Sequence, residues 1–432
     1  MRPLRYALLI LAIFVGTLAE AQSLSNERGR FKAMLNVISE DIEKEFYDPQ
    51  FKGLKWEALI EDARARIDKA QNVGEMVTAV FYVVNRLDDS HTMFFPPERT
   101  SKPLFGFEAK AIGQDVYVYE IKKKGAAEKA GLKAGDKILT VNGFNALREN
   151  WDLMMIYFRV LRPVGVLNLE YQRGNGPVTK LTLEAEMKNR PIVTDMTQSI
   201  NIWEFLREWD TSRVAARYQM YDGGIGYLQL EDFMASEALY KSLVKKVEGG
   251  KAVIVDLRGN PGGAVDYLQK FAAFFEPERR VMFNIVTRKK TEAVEIKPQK
   301  TVLNGPMFIL IDSQSSSAAE LFARYFQLRK RAVVIGDDSS GRVTVARFFG
   351  HTAGQDTVAF YGVQVAIGRA KFEDGSELEK SPVKPDRRCL PTSDDLANDR
   401  DPCRSLAILL ARQALGLGDQ IASDTKPEEV KD

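Results

Sequence analysis

Two stretches constrain the fold more than any others: "AVIVDLRGNPGGAVDYLQKFAAFF" from residue 252 and "MFILIDSQSSSAAELFARYFQL" from residue 307. Each runs an unbroken apolar segment into a turn, and then into a helix whose apolar residues recur three and four apart. A strand that is apolar at every position must be covered on both faces, and strands of that kind alternating with helices predict an α/β core.

The rest of the chain has a different texture. From Leu24 to about Leu87 the period is helical, as in "FKAMLNVISEDIEKEF" and "MVTAVFYVVNRL", with "YDPQFKGLKW" breaking the two. "FFPPERTSKP" reads as a linker. Phe105 to about Met187 is then strand-rich, in "QDVYVYEI", "DKILTVNG" and "VLNLEYQ". A chain of 432 residues can bury several such cores. The expected division is a leader at 1–21, a helical region at 22–100, a β-rich domain at 101–191, the α/β core at 192–420 and a disordered acidic and lysine-rich tail at 421–432.

The opening "MRPLRYALLILAIFVGTLAEAQ" sets Arg2 and Arg5 before a short apolar run and the small-residue site Ala19-Glu20-Ala21, the pattern of an export signal cleaved after about Ala21. An exported, periplasmic or secreted chain can hold a disulfide, and Cys389 and Cys403 are the two cysteines in it. They read as a staple across a polar C-terminal loop, with two free thiols as the alternative. Two cysteines without neighbouring histidines do not make a zinc site, and no metal or cofactor is expected. A net charge of +2 without a basic stripe gives no reason to expect nucleic acid.

Chemistry concentrates at the two turns. Ser317 opens a helix, where unpaired N–H groups favour an anionic oxygen, yet Ser317-Ala-Ala-Glu320 also fits a capping box in which serine only satisfies the helix. "DLRGNPGG" lacks the Lys-Ser/Thr of a phosphate loop; its glycine N–H groups suit an oxyanion or simply a tight turn. Among other polar residues, His351 in "FFGHTAGQD" reads as a surface side chain in a glycine-containing turn. Asp88 and Asp89 read as caps of the loop before His91, and Lys122 to Lys124 as a solvated turn. The aromatic residues of "NIWEFLREW" read as packing.

Residues 103 to 146 resemble a PDZ domain: Leu104-Phe105-Gly106-Phe107 matches its carboxylate-binding loop, and "AAEKAGLKAGDKILTVNG" the segment that follows. PDZ domains add a peptide strand to a sheet edge and hold a C-terminal carboxylate on loop N–H groups. A PDZ followed by "DLRGNPGG" and "SQSSSAAE" resembles the C-terminal processing, or tail-specific, serine peptidases and their relatives with the tricorn protease core. The resemblance implies a crotonase-like α/β core and makes Ser317 the nucleophile, with Ala318 or Ser317 itself and either Gly262 or Gly263 supplying the oxyanion hole. It implies protein or peptide substrates with free C-termini, and leaves the oligomeric state open.

In the tail-specific branch a lysine downstream of the nucleophile serves as base, but "IGDDSSGRVTV" puts Arg342 there, and a guanidinium cannot accept the serine proton. Lys330 and Lys371 are the remaining lysine candidates. The tricorn-type branch instead uses a Ser-His-Ser-Glu tetrad, and its members match Ser90, His91, Ser317 and Glu379. Imidazole, with an ordinary pKa near 6.5, suits the role. A non-catalytic peptide or lipophilic-ligand binder on the same fold is the alternative.

Overall fold

The computed structural model describes residues 3–97, 101–189, 214–353, 359–418 and 427–431. The two long apolar stretches become the strands Ala252–Asp256 and Met307–Ile311, both buried at every position, followed by the helices Val265–Ala272 and Ala318–Leu328. They lie at the centre of a seven-stranded sheet. Ile225–Leu230, Ala252–Asp256, Met307–Ile311 and Ala332–Gly336 run parallel, with Val214–Tyr221 antiparallel at one side.

Period-two alternation sorts the side chains between two cores. Val253, Val255, Met307, Ile309 and Ile311 pack with the helices Val265–Ala272 and Ala318–Leu328 on one face. Ala252, Ile254, Phe308 and Leu310 pack on the other with Cys403, Ala407, Ile408 and Ala411 of the helix Pro402–Ala414. Ends of parallel strands are where such sheets place their chemistry, and both turns, 257–264 and 312–317, leave from those carboxyl ends.

The last residues correct the expectation of a disordered tail. Glu428–Lys431 forms the outer strand of this sheet, antiparallel to Val214–Tyr221. A sheet edge leaves backbone groups unpaired, and the short segment fills them while Val430 packs against the core.

In the N-terminal region the helices Pro3–Glu45, Trp56–Lys69 and Val73–Asn85 bury a stripe that includes Phe31, Leu35, Ile38 and Ile42. The spacing of three and four residues puts these on one helix face. The same core takes in Val363 and Val365 from the strand Ala359–Lys371. Helix Val73–Asn85 ends in a turn at Asp88, which has a positive φ of 51°, and the chain then enters the short strand Met93–Phe95, paired to Ala359–Lys371. Ser90 and His91 are thus pinned between a helix end and a sheet.

The β-rich domain is a sheet of Phe107–Ile112, Asp115–Ile121, Asp136–Val141, Val166–Arg173 and Val178–Glu184, with a small strand, Phe144–Asn145, beside the third. It is fastened to the α/β core by partly buried ion pairs, Lys110 to Asp312 at 2.7 Å and Arg148 to Asp337 at 2.8 Å. Gly113 N–H also donates to Asp337 at 2.8 Å. The aromatic segment 202–209 lies outside the described residues.

Cys389 and Cys403 form a disulfide with Cα atoms 5.6 Å apart. It ties the start of helix Pro402–Ala414 to the sheet, where Cys389 N–H donates to Gly336 O at 2.9 Å. Beside Cys403, Asp401 holds both terminal nitrogens of Arg258, at 2.8 and 2.7 Å, and Arg258 holds Asp256. For a span of 14 residues the loop-entropy relation gives about 3 kcal/mol. Cys403→Ser is therefore expected to lower stability by roughly that amount, read as a shift of the urea midpoint under non-reducing conditions.

Candidate active site

Ser317 sits where Met307–Ile311 turns into Ala318–Leu328, with φ 54° and ψ −117°. A β-carbon-bearing residue rarely adopts this conformation, and something must over-determine it. Three neighbours do so. Ser315 Oγ donates to Leu257 O at 2.7 Å, Ser316 N–H donates to Asn260 O at 2.9 Å, and Ser317 N–H points at Arg342 O at 3.0 Å. Ser313 Oγ is spent on Ala111 O of the β-rich domain. The serine cluster is therefore mostly scaffold, and Ser317 is half-buried at its exposed end.

Glu320 is the residue whose part the sequence concealed. Its carboxylate reaches back to Ser317 N–H at 3.1 Å, as a capping box requires. It is fully buried, and it also accepts from Gly341 N–H at 2.7 Å, Arg342 N–H at 3.0 Å and Ser339 Oγ. Burial pushes its pKa up to about 7 against the pull of these four donors. The S-x-x-E spacing was the only sequence signal for it.

The turn after Ala252–Asp256 lies against Ser317. A β-carbon on Gly262 would stand 2.7 Å from Ser317 Cβ, so only glycine allows this approach. Asn260, buried, accepts Gly262 N–H at 2.8 Å and donates to Leu230 O at 3.0 Å. Gly262 N–H is thereby committed. Gly263 N–H and Ala318 N–H have no acceptor among the described residues, and Ser317 N–H is engaged by Arg342 and Glu320.

Ser90, His91 and Glu379 come together directly. Glu379 accepts Ser90 N–H at 2.9 Å and Ser90 Oγ–H at 2.7 Å, and Val343 N–H at 2.9 Å. Ser90 Oγ lies 2.9 Å from His91 Nδ1. A hydroxyl has one proton, and a carboxylate can only accept it, so Ser90 Oγ must accept from Nδ1–H. The neutral ring therefore carries its free lone pair on Nε2. Burial lowers the His91 pKa to about 4, with the Arg342 cation adding to it and Glu379 opposing.

Asp89 Oδ1 accepts His91 N–H at 3.0 Å and Thr92 Oγ1–H at 3.2 Å, and Asp88 pairs with Lys380. Ser317 joins this group through two adjacent residues: Arg342, whose carbonyl it faces, and Val343, which binds Glu379.

Other candidates fall away from the site. Lys330 and Lys371 are exposed, as are Lys122 to Lys124. His351 is not in a turn. It lies on the strand Thr344–Ala353, with Nε2 2.6 Å from Asp41 Oδ2 and its ring beside Tyr361; the glycine at 350 is paired within the strand, opposite Gly362. Among the described residues no three His, Cys, Asp or Glu side chains are disposed to share a metal ion.

In the expected carboxylate loop Phe105 and Phe107 are buried, Leu104 ends the strand Ser101–Leu104, and Gly106 has φ 76°. The outward carbonyls of the neighbouring strand are occupied. Phe107 O accepts from Arg159 at 3.3 Å, Ala109 O from Trp151 Nε1 at 3.0 Å and Ala111 O from Ser313. The edge at which a peptide strand would add is covered in this conformation.

Family comparison agrees with this architecture. Residues 224–389 match the model of peptidase family S41, and residues 97–171 match the PDZ domain. The chain is 21% identical to the chloroplastic carboxyl-terminal-processing peptidase 1 of Arabidopsis thaliana, over 74% of this chain and 64% of that one. It is 23% identical to the carboxyl-terminal-processing protease of Synechocystis sp., over 87% and 83%. The solved structure of mature CPAF complexed with lactacystin superimposes with a TM-score of 0.66 at 12% identity, over 90% of this chain and 99% of that one, and so shares the fold. The chain thus sets a match to the PDZ domain before a match to peptidase family S41, and is similar to carboxyl-terminal-processing proteases.

Proposed function

We propose that the chain is an exported serine endopeptidase in which Ser317 is the nucleophile and His91 its base. The observation that carries this reading is the hydrogen-bond order from Glu379 through Ser90 to His91, which leaves Nε2 as proton acceptor. Ser317 Oγ attacks the scissile carbonyl carbon and its proton passes to His91 Nε2. The oxyanion is met by the N–H groups of Gly263 and Ala318. His91 then returns the proton to the departing amine, and water, deprotonated by the same nitrogen, releases the acyl group. Ser90 and Glu379 act on the ring, holding its tautomer, and do not touch substrate.

Substrates on this reading are proteins presenting free C-termini, with Leu104 to Phe107 of the PDZ domain as the place of capture. Tail capture there requires Trp151 and Arg159 to release the carbonyls they now cover.

A fluorophosphonate probe is expected to label the folded protein and to fail on Ser317→Ala; a folded wild-type chain that takes no label would sink the peptidase reading. His91→Ala is expected to lower kcat/KM on a peptide substrate about a thousandfold, whereas Arg342→Ala costs far less; the reverse order would remove His91 from the role.

Because a base must be unprotonated and His91 stays neutral down to about pH 4, the acid limb of kcat/KM should fall near that pH. An ordinary histidine would give a limb near 6.5. Glu320→Gln keeps the shape but turns an amide NH2 toward backbone donors. Roughly 2–3 kcal/mol of stability should be lost in urea titration, with kcat falling as Ser317 loosens.

A further inference from the structure

Arg342 does two separable things. Its backbone is locked to the nucleophile, with its carbonyl 3.0 Å from Ser317 N and its N–H donating to Glu320 at 3.0 Å. Its side chain leaves this anchored backbone for a cavity of about 460 Å³ where the helical region, the PDZ domain and the core meet. One wall of that cavity carries Ser90 and Glu379, and another is apolar, with Phe81, Val84, Leu153 and Ile156.

The cations on this cavity are not equivalent. Arg148 is saturated by Asp337, Gly113 O, Asp338 O and Ser339 O. Lys380 is held by Asp88. Arg342 has, among the described residues, a single side-chain partner, Asp152 at 3.0 Å, and both side chains are about half exposed, at 44% and 51%. An ion pair so open to water is worth little, and exchange of its anion is cheap. Once a bound chain shuts out water, the same guanidinium holds a carboxylate far better, and can do so with two parallel hydrogen bonds.

We propose that Arg342 is a specificity residue that takes a carboxylate of the substrate in exchange for Asp152, with the neighbouring apolar residue of that substrate lying on Phe81, Val84, Leu153 and Ile156. The carboxylate is either an acidic side chain near the scissile bond or the α-carboxylate of the chain end. This rests on the assignment of Ser317 and His91 to the reaction only in placing the substrate in this cavity.

Binding to the Ser317→Ala protein tests it without turnover. The probes are fluorescein-labelled peptides with one fixed leucine, flanked position by position with Glu or Gln, each made as the free acid and as the C-terminal amide. The expected result is Kd about tenfold lower for Glu than Gln at one position, or for the acid than the amide. That ratio should collapse toward one in Ser317→Ala/Arg342→Gln, persist in part in Ser317→Ala/Arg342→Lys and widen in Ser317→Ala/Asp152→Asn. A Glu/Gln ratio assigns the side-chain source, and an acid/amide ratio the chain end. Equal ratios with and without the guanidinium, in proteins of matched circular dichroism, overturn the proposal. If the wild-type chain hydrolyses none of these peptides while the ratio still depends on Arg342, the peptidase reading falls and this one stands.

Discussion

The carboxylate of Glu320 is the interaction on which the site depends. Taking an ion of this size out of water costs several kcal/mol, recovered only if its lone pairs are filled with good geometry. Here they are filled by Ser317 N–H, Gly341 N–H, Arg342 N–H and Ser339 Oγ–H, groups from two segments about twenty residues apart. Because the cost of burial is met only when all four donors are present, the Ser317 turn and the 339–342 loop are fixed together. The positive φ of Ser317 is then sustained by tertiary contacts that local preference would not supply.

From that join the order spreads outward. The 339–342 loop brings Arg342 O to Ser317 N–H, and the next residue, Val343, donates to Glu379. Glu379 in turn grips Ser90 by both its N–H and its hydroxyl, and Ser90 sets the tautomer of His91. Two glutamates thus divide the work. Glu320 fixes where the backbone of Ser317 lies, and Glu379 fixes which ring nitrogen of His91 is free. The Asp256, Arg258 and Asp401 network does the same for the glycine turn, from the side stapled by the disulfide.

Much of this was legible in the sequence where a signal was local or where a whole motif order could be matched. Continuous apolar runs gave the central parallel strands because burial on both faces leaves no polar alternation to find. Ser90, His91, Ser317 and Glu379 were singled out by resemblance, and spacing alone would have left His91 an ordinary helix-end residue. What could not be read depends on partners distant along the chain. Glu320 looked like a cap because one of its four donors lies three residues away and the others nineteen to twenty-two. Gly262 and Gly263 were indistinguishable until Asn260 was seen to take the first N–H. The covered PDZ edge rests on Trp151 and Arg159, 42 and 52 residues from the carbonyls they bind. Glu428–Lys431 has the composition of a solvated tail, and only the open edge of Val214–Tyr221 makes it a strand.

Arginine at the position where relatives of the tail-specific branch carry a lysine base is consistent with a histidine in that role. A lysine serves as base only when its surroundings depress its pKa enough to make it neutral, and a neutral amine beside Ser317 would compete with imidazole for the same proton. A guanidinium does not titrate in the working range. Its fixed charge adds to burial in holding His91 unprotonated, and its donors, paired with the half-exposed Asp152, can be exchanged onto another anion. On the proposed assignment, arginine in place of lysine removes one base, favours the neutral form of another and leaves a permanent cation at the cleft, so that proton transfer and charge recognition would fall to different side chains.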